Sequence, residues 1–331
     1  MAFMKIEANK LVDFIHKSFS IRPNGYEAKD FAALLAIASA YKSYVETVNC
    51  ESLPNADTLH CKIKRDADIL SLLENFLNIT KKYLPRLKGK KAIVIADITY
   101  DPFFGDDSAE TWVHGYKPAK GCVGCYKFFA IHIIVNNKRY FVYAMPLDIV
   151  DDQAGLMEEA LDYIKGYGIK TKSILLDRGF ADSKILDLLR KRRTKYLVLY
   201  PKHKNIKKII REMKLRFINR KFKVRGVETR LVIGKTEKIT WVFVTNMEFV
   251  DLVKYIRLYR KRWNIETGFR MQDEAQIKTK SKRIEIRYFY FLVALLLYNC
   301  WKVMKIKISF RRFLIQIQKG VEICKHTTKP T

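Results

Sequence analysis

Two short apolar runs, each followed at once by an aspartate, constrain the fold of this chain more than any other feature. Residues 92–96 read Ala-Ile-Val-Ile-Ala before Asp97, and residues 173–176 read Ser-Ile-Leu-Leu before Asp177. Continuous apolar runs of this length are typical of strands that are buried on both faces of a sheet. They predict a helix-covered sheet in which two strands end in an acidic residue.

The segments around these runs alternate in an α/β order. The first strand is followed by a β-hairpin turning at Asn136-Asn137, a helix over 154–166, the second strand, a helix over 183–193 and a strand over 196–200. Residues 201–250 break this rhythm, because a very basic stretch is followed by three short strand-like runs. A continuous helix over 251–274 and an apolar helix over 287–304 complete the predicted elements.

Five regions follow from these patterns. They are a helical domain over 1–88, the first part of an α/β core over 89–200, a β-rich insertion over 201–250, the second part of the core over 251–305, and a basic tail over 306–331. The helical domain contains a short basic helix preceded by N-cap residues at 54–58. That arrangement is compatible with helix-turn-helix DNA binding and equally with plain helical packing.

The charge of the chain favours a polyanionic partner. It carries 63 Lys and Arg against 34 Asp and Glu, a formal net charge of +29. Such an excess attracts phosphate backbones through counterion release, although a generically basic surface would give the same count. The first residues lack the apolar core of a signal peptide. The apolar run 288–301 is short for a bilayer, so we expect a cytoplasmic protein without a membrane partner, in which this run is a buried helix.

A third carboxylate, Glu266, lies in the predicted helix 251–274. Asp97 and Asp177 lie where strands meet loops, which is where open α/β sheets present ligand-binding residues. Singly, each Asp is more often a strand-end cap, but together with Glu266 they favour a site for a hard cation such as Mg²⁺ or Mn²⁺. Four polar residues at helical spacing are expected to share one face of this helix: Tyr259, Arg262, Glu266 and Asp273.

Three motifs, in order, resemble the DDE transposases of bacterial and archaeal insertion sequences. They are Ile95-Ala96-Asp97-Ile98-Thr99, the turn Asp177-Arg178-Gly179-Phe180, and Tyr259-x-x-Arg262-x-x-x-Glu266. The third motif resembles the branch with a Tyr-x-x-Arg-x-x-x-Glu-x-x-x-x-x-x-Lys signature, in which a β-rich insertion also separates the second and third acidic residues. The likeness covers about residues 90–305. One departure is that the signature lysine falls at Asp273, with Lys278 and Lys280 nearby.

The resemblance implies an RNase H-like fold, a mixed sheet flanked by helices, and phosphoryl transfer on DNA. Two metal ions, Mg²⁺ or Mn²⁺, would be held by Asp97, Asp177 and Glu266. The partners would be double-stranded DNA, as terminal inverted repeats and as target, and a second copy of the chain on paired ends. Residues 1–88 would read the ends, and their removal is expected to leave the catalytic fold intact. The residues expected to contact DNA are Tyr259, Arg262, Arg178, Lys117, Lys120 and Lys278.

Two other functions stay open from the sequence. One is an RNase H-like nuclease or resolvase without strand transfer, and the other is a non-catalytic DNA-binding protein derived from a transposase. The intact set of three acidic residues favours catalysis, and the chain has no persuasive P-loop or Gly-x-Gly-x-x-Gly motif. The lone motif Cys122-x-x-Cys125 is interpreted as two ordinary thiols; the alternative is a zinc site, which needs two more ligands, for which His114 and Cys61 are the candidates.

Overall fold

The computed structural model describes residues 2–21, 25–84, 87–106, 111–304 and 307–326. One eight-stranded sheet in the order β3-β2-β1-β4-β5-β8-β7-β6 runs through it. Its strands are β1 (Lys91–Phe103), β2 (Gly124–Val135), β3 (Lys138–Leu147), β4 (Lys170–Leu176), β5 (Tyr196–Leu199), β6 (Phe217–Val224), β7 (Val227–Lys235) and β8 (Thr240–Thr245).

The register of the central strands places the two aspartates side by side. Strand β1 is parallel to β4, and Ala96 pairs with Leu176. Asp97 and Asp177 are therefore the next residues on two adjacent strands, which run about 5 Å apart. The opposite neighbour of β1 is β2, antiparallel, with Asp97 opposite Ala130. Asp177 directly follows the last residue of β4, as predicted, but the prediction that Asp97 ends its strand is wrong: β1 continues to Phe103, paired with β2 alone. The two aspartates lie side by side where the parallel pairing of β1 with β4 stops.

Helices cover both faces of the sheet. One face carries α5 (Gln153–Gly166), α6 (Ser183–Lys191) and α7 (Lys204–Glu212), whose apolar residues form a core with the sheet. The other face carries α1 (Ala2–Ser18), α2 (Ala28–Tyr41), α3 (Ala56–Asp66), α4 (Ile69–Tyr83), α8 (Leu252–Tyr259), α9 (Trp263–Asp273), α10 (Ile284–Val303) and α11 (Phe310–His326).

The N-terminal helices and the sheet share a single hydrophobic core. Phe14 of α1 stacks on Phe289 of α10 at 5.6 Å between ring centroids, and His60 of α3 bonds the Tyr290 hydroxyl at 2.8 Å. Apolar residues of α1 to α4 belong to the same buried cluster as α10 and one face of the sheet. Removal of 1–88 would expose that cluster to water, so the shared core argues against the prediction that the remainder keeps its fold.

Helix α10 lies at the centre of this arrangement. It is long and apolar enough to cross a membrane by length and composition, yet 89% of its most apolar stretch is buried inside the protein. Asn299 pairs with the backbone of β3, donating to the Phe141 carbonyl and accepting from the Phe141 amide. The prediction of a buried helix over 288–301 is confirmed.

The predicted continuous helix over 251–274 is wrong in one respect. Helix α8 ends at Tyr259, residues Arg260–Arg262 form a 3₁₀ turn, and α9 begins at Trp263. A 3₁₀ turn has three residues per turn, so side chains three apart eclipse one another. Tyr259 and Arg262 are three apart and remain on one side of the chain through this turn, where they reach Asp177 and Asp97.

The basic and β-rich region 201–250 continues the central sheet. Strand β8 pairs antiparallel with β5, β7 with β8, and β6 with β7. The basic stretch before these strands contains α7, a helix that the sequence pattern did not predict. Because β5 is parallel to β1 and β4, its carboxyl end opens at the same edge of the sheet as the two aspartates.

Candidate active site

Asp97 is a nearly buried carboxylate at the edge of the sheet. Its side chain is 17% exposed, and its Oδ1 accepts a hydrogen bond from the Ile98 amide at 2.9 Å. Burial raises the pKa of Asp97 to about 6, against the lowering effect of the Arg262 cation, and the negative charges of Asp177 and Glu266 raise it further. Desolvation by burial therefore outweighs the nearby arginine, and the ionised form needs additional positive charge.

Arg262 joins two of the three acidic residues. Its Nη1 donates to Asp97 Oδ2 at 3.0 Å and its Nη2 donates to Glu266 Oε1 at 2.5 Å. The Arg262 residue is only 5% exposed. Its Nε–H is buried and has no hydrogen-bond partner in the described part of the chain. A single guanidinium thus bridges a strand residue and a helix residue 169 positions apart (266 − 97 = 169).

Tyr259 completes the link to Asp177. Its hydroxyl donates to Asp177 Oδ1 at 3.3 Å, and its ring lies 5.6 Å from the Arg262 guanidinium. The ring is packed against Phe243 and Trp241 of β8, which leaves Tyr259 1% exposed. Burial raises the pKa of the Tyr259 hydroxyl, so it stays a neutral donor to the carboxylate.

The three acidic residues therefore meet at one place through Arg262 and Tyr259. As the side chains stand, no three His, Cys, Asp or Glu residues of the described ranges are grouped closely enough to hold one ion. The donor chemistry still fits a hard divalent cation, because oxygen ligands from three carboxylates lie around Arg262 and Tyr259, and burial disfavours the ionised form of Asp97 unless a cation is near. Asp97, Asp177 and Glu266 are the residues that would hold it.

The other predicted DNA contacts are exposed around this edge. Arg178 directly follows Asp177. Lys117 and Lys120 lie on the loop between β1 and β2, which is fixed beside the site by a Tyr116–Tyr100 ring contact at 4.8 Å. Lys278 is exposed further along, with its amide bonded to the Ser43 carbonyl at 3.1 Å. Tyr259 and Arg262, by contrast, are buried against carboxylates; their contact with DNA stays a prediction.

Two charged pairs lie near the site that the sequence did not predict. Asp101 accepts from Arg287 Nη1 at 2.5 Å, and Asp273, at the signature-lysine position, pairs with Lys42 at 2.5 Å. A signal for Asp101 was present, since alternation along β1 puts it on the same face as Asp97. Its partner lies 186 residues away, which no sequence pattern reveals. Asp101 and Asp273 also line a cleft of about 300 Å³ between β1 and α9.

The cysteines of the Cys-x-x-Cys motif lie at the start of β2. Cys122 donates its thiol hydrogen to the Ala119 carbonyl at 2.9 Å, and Cys125 is fully buried. His114 pairs with Cys125 through backbone hydrogen bonds, while its Nε2 lies 2.9 Å from the Leu147 carbonyl. Both thiols are free.

The sequence matches the family described as the transposase DDE domain over residues 88–300. The chain belongs to this DDE transposase family. The fold is similar to that of a piggyBac transposase in a cryo-EM synaptic complex with hairpin DNA, with a TM-score of 0.60. That likeness covers 99% of this chain and 80% of the other at 11% identity. Among curated proteins, none matches this sequence. The predicted family and the RNase H-like mixed sheet flanked by helices are confirmed.

Proposed function

We propose that this protein is an insertion-sequence transposase that cuts DNA at the ends of its element and joins those ends to target DNA. The observation that carries the proposal is the meeting of Asp97, Asp177 and Glu266, three residues from distant parts of the chain, around Arg262 and Tyr259. A surface cap or a solvated charge stripe would not require carboxylates from two strands and a distant helix to share one tyrosine and one buried arginine.

The three carboxylates of the site come from different elements and would together hold the metal ions for phosphoryl transfer. Asp97 and Asp177 are fixed on adjacent strands, whereas Glu266 comes from a helix, so the carboxylates approach a phosphate from two sides. Two Mg²⁺ or Mn²⁺ ions held there would activate a water or a 3′-hydroxyl and stabilise the leaving oxygen. The protein's own task is positioning and charge neutralisation, and it needs no covalent nucleophile.

The surrounding charge suits duplex DNA as substrate. The exposed cations near this site, Arg178, Lys117 and Lys120, are the residues that we expect to contact phosphates on either side of a scissile bond. The solved relative named above holds hairpin DNA. A pair of bound ends, one per protomer, would bring two copies of the chain together.

Substitution of Glu266 by Gln tests the proposal. The change keeps the shape of the side chain and removes its charge, so we expect nicking and joining to fall at least about a hundredfold while DNA binding persists. The measurement uses labelled duplexes that carry the DNA flanking the gene, incubated with Mg²⁺ or Mn²⁺. The matched control is Glu74→Gln, an exposed acid on α4.

The products separate the proposal from its rivals. Cleaved but never joined ends would assign a nuclease or resolvase. Binding without metal-dependent cleavage in the unsubstituted protein would assign a non-catalytic DNA-binding protein. Near-normal cleavage by the Glu266→Gln variant would remove Glu266 from the site.

A further inference from the structure

We propose that Arg262 is an exchangeable cation: it neutralises Asp97 and Glu266 until a DNA phosphate draws it away, and the carboxylates then accept divalent ions. The inference rests on the proposed function, and it adds a coupling between DNA binding and metal binding. Its basis is that one buried guanidinium occupies an oxygen of each of two carboxylates that would hold metal.

The Arg262 guanidinium and a divalent ion would compete for the same carboxylates. Asp97 has two carboxylate oxygens: Oδ1 accepts from the Ile98 amide and Oδ2 accepts from Arg262. Both are therefore engaged, and Arg262 also engages Oε1 of Glu266. A divalent ion that binds Asp97 through Oδ2 comes close to the guanidinium, and the repulsion between the two cations opposes its binding while Arg262 stays in place.

The arginine is incompletely satisfied where it lies. Its Nε–H is buried without a partner among the described residues, and such an orphaned donor costs about 1–3 kcal/mol. Phosphate offers a planar guanidinium two parallel hydrogen bonds. If Arg262 moves from the carboxylates to a DNA phosphate, it leaves a position in which its Nε–H has no acceptor and gains a bidentate contact.

The backbone around Arg262 favours such an exchange. Arg262 ends a 3₁₀ turn between two helices, and 3₁₀ segments inside helices often mark hinges. Its neighbours Arg260 and Lys261 are exposed on that turn. A DNA strand attracted by these two cations would bring its phosphates next to the buried third one.

Two consequences follow by linkage. Without DNA, divalent ions must displace Arg262 and bind weakly; with DNA, the guanidinium is already engaged and they bind more tightly. Coupling between two ligands is reciprocal, so metal strengthens DNA binding by the same factor. Divalent ions are therefore expected to fill the site mainly in protein that already holds DNA.

Binding of Mn²⁺ to the full-length chain, followed by electron paramagnetic resonance at fixed ionic strength, tests the inference without reference to activity. We expect a duplex to tighten Mn²⁺ binding to the unsubstituted protein by about tenfold, after subtraction of Mn²⁺ bound by the duplex alone. Arg262→Gln is expected to bind Mn²⁺ about tenfold more tightly without DNA, and to gain little from DNA. Arg312→Gln, which removes an exposed arginine of α11 outside this turn, is the control and keeps the full DNA effect.

Other outcomes overturn the inference in a recognisable way. Equal Mn²⁺ affinity of Arg262→Gln and the unsubstituted protein without DNA refutes the competition. An undiminished DNA effect in Arg262→Gln refutes the exchange. Arg262→Lys, which retains charge but lacks the fork, is expected to be intermediate and serves if the Gln variant does not fold; an unchanged affinity there also refutes it. If Glu266→Gln binds Mn²⁺ as the unsubstituted protein does, the metal site of the proposed function itself fails.

Discussion

His132 is a buried histidine in the core beneath the candidate active site. It lies on β2 opposite Ile95, is fully buried, and neither ring nitrogen has a hydrogen-bond partner in the ranges that the structure describes. Phe141 and Tyr298 surround its ring, and Gly268 of α9 passes directly over it. Burial lowers the pKa of His132 to about 3, helped by the cations Arg139 and Lys302.

Replacement of His132 by Phe tests this interpretation. The folded pKa of about 3 lies below the ordinary value of 6.5, so the unfolded chain binds an extra proton between these pH values. The free energy of unfolding therefore falls as the pH drops from about 6.5 towards 3, by up to about 5 kcal/mol from this residue. In His132→Phe that part of the acid dependence disappears, and stability at pH 7 does not decrease.

Urea denaturation across pH 4–7 provides the measurement. His16→Gln serves as the control, since His16 is exposed on α1. An unchanged pH slope in His132→Phe would contradict a neutral, unpartnered histidine at this position.

Among the elements, α10 and β1 are held together by a buried ion pair that also fixes the segment between α9 and α10. Arg287 is 3% exposed and lies 4.3 Å from the Tyr126 ring centroid. Besides Asp101, it donates to the Ser281 carbonyl at 2.7 Å. One side chain thus ties the extended end of β1 to the chain leading out of α9.

Arg287→Ala should therefore destabilise the fold strongly. The change leaves the Asp101 carboxylate without its partner in a largely buried position, and the loss of one member of a buried pair costs about 3–5 kcal/mol. We expect a matching fall in the urea midpoint. Arg283→Ala removes an exposed arginine one turn earlier and should stay within about 0.5 kcal/mol. Equal midpoints for the two variants would show that the Arg287 pair contributes nothing.

The elements also mark where sequence reasoning succeeded. The strand segments before Asp97 and Asp177 were predictable because a strand buried on both faces must be continuously apolar. The continuation of β1 from Asp97 to Phe103 was not predicted, because these residues pair with β2 alone and include polar ones. The break of the helix at Arg260–Arg262 was not, because no Pro or Gly marks it and its cause is tertiary: Arg262 is drawn to Asp97 on a distant strand. The bridge from Arg262 to Asp97 and Glu266 was not predictable for the same reason. Helical spacing places Arg262 beside Glu266, but it gives no information about a contact with the distant Asp97.

At the scale of the whole molecule, positive charge is concentrated beyond the catalytic edge. Residues 202–225 contain eleven Lys and Arg against one Glu. They occupy α7 and β6, and β6 lies five strand positions from β1 in the sheet, or about 24 Å at 4.8 Å per strand. A duplex that ran across the strands from the carboxylates would reach this region after about seven base pairs.

Neutralisation of α7 tests whether DNA follows this path. In the triple variant Lys204→Gln, Lys207→Gln and Arg211→Gln, all exposed on one helix, we expect weaker binding to any duplex and a salt slope reduced by about 2–3. Phosphate-ethylation interference should lose contacts about seven base pairs from the cleavage site. The control neutralises Lys138, Lys165 and Lys170, which are exposed at the opposite edge of the sheet; an equal loss there would mean that DNA binding has no preferred path.

The central position of α10 has a consequence for how the protein is made. Helix α4 ends at Tyr83 and its partner α10 begins at Ile284, 201 residues later (284 − 83 = 201). At roughly 5–20 residues per second, a ribosome needs about 10–40 s to supply the second element after the first. During that interval the N-terminal helices can pack against one another and α4 against β3 and α5, but the apolar side chains that face α10 stay exposed. Translation that stops before α10 is therefore expected to yield an aggregation-prone fragment and not a smaller folded protein.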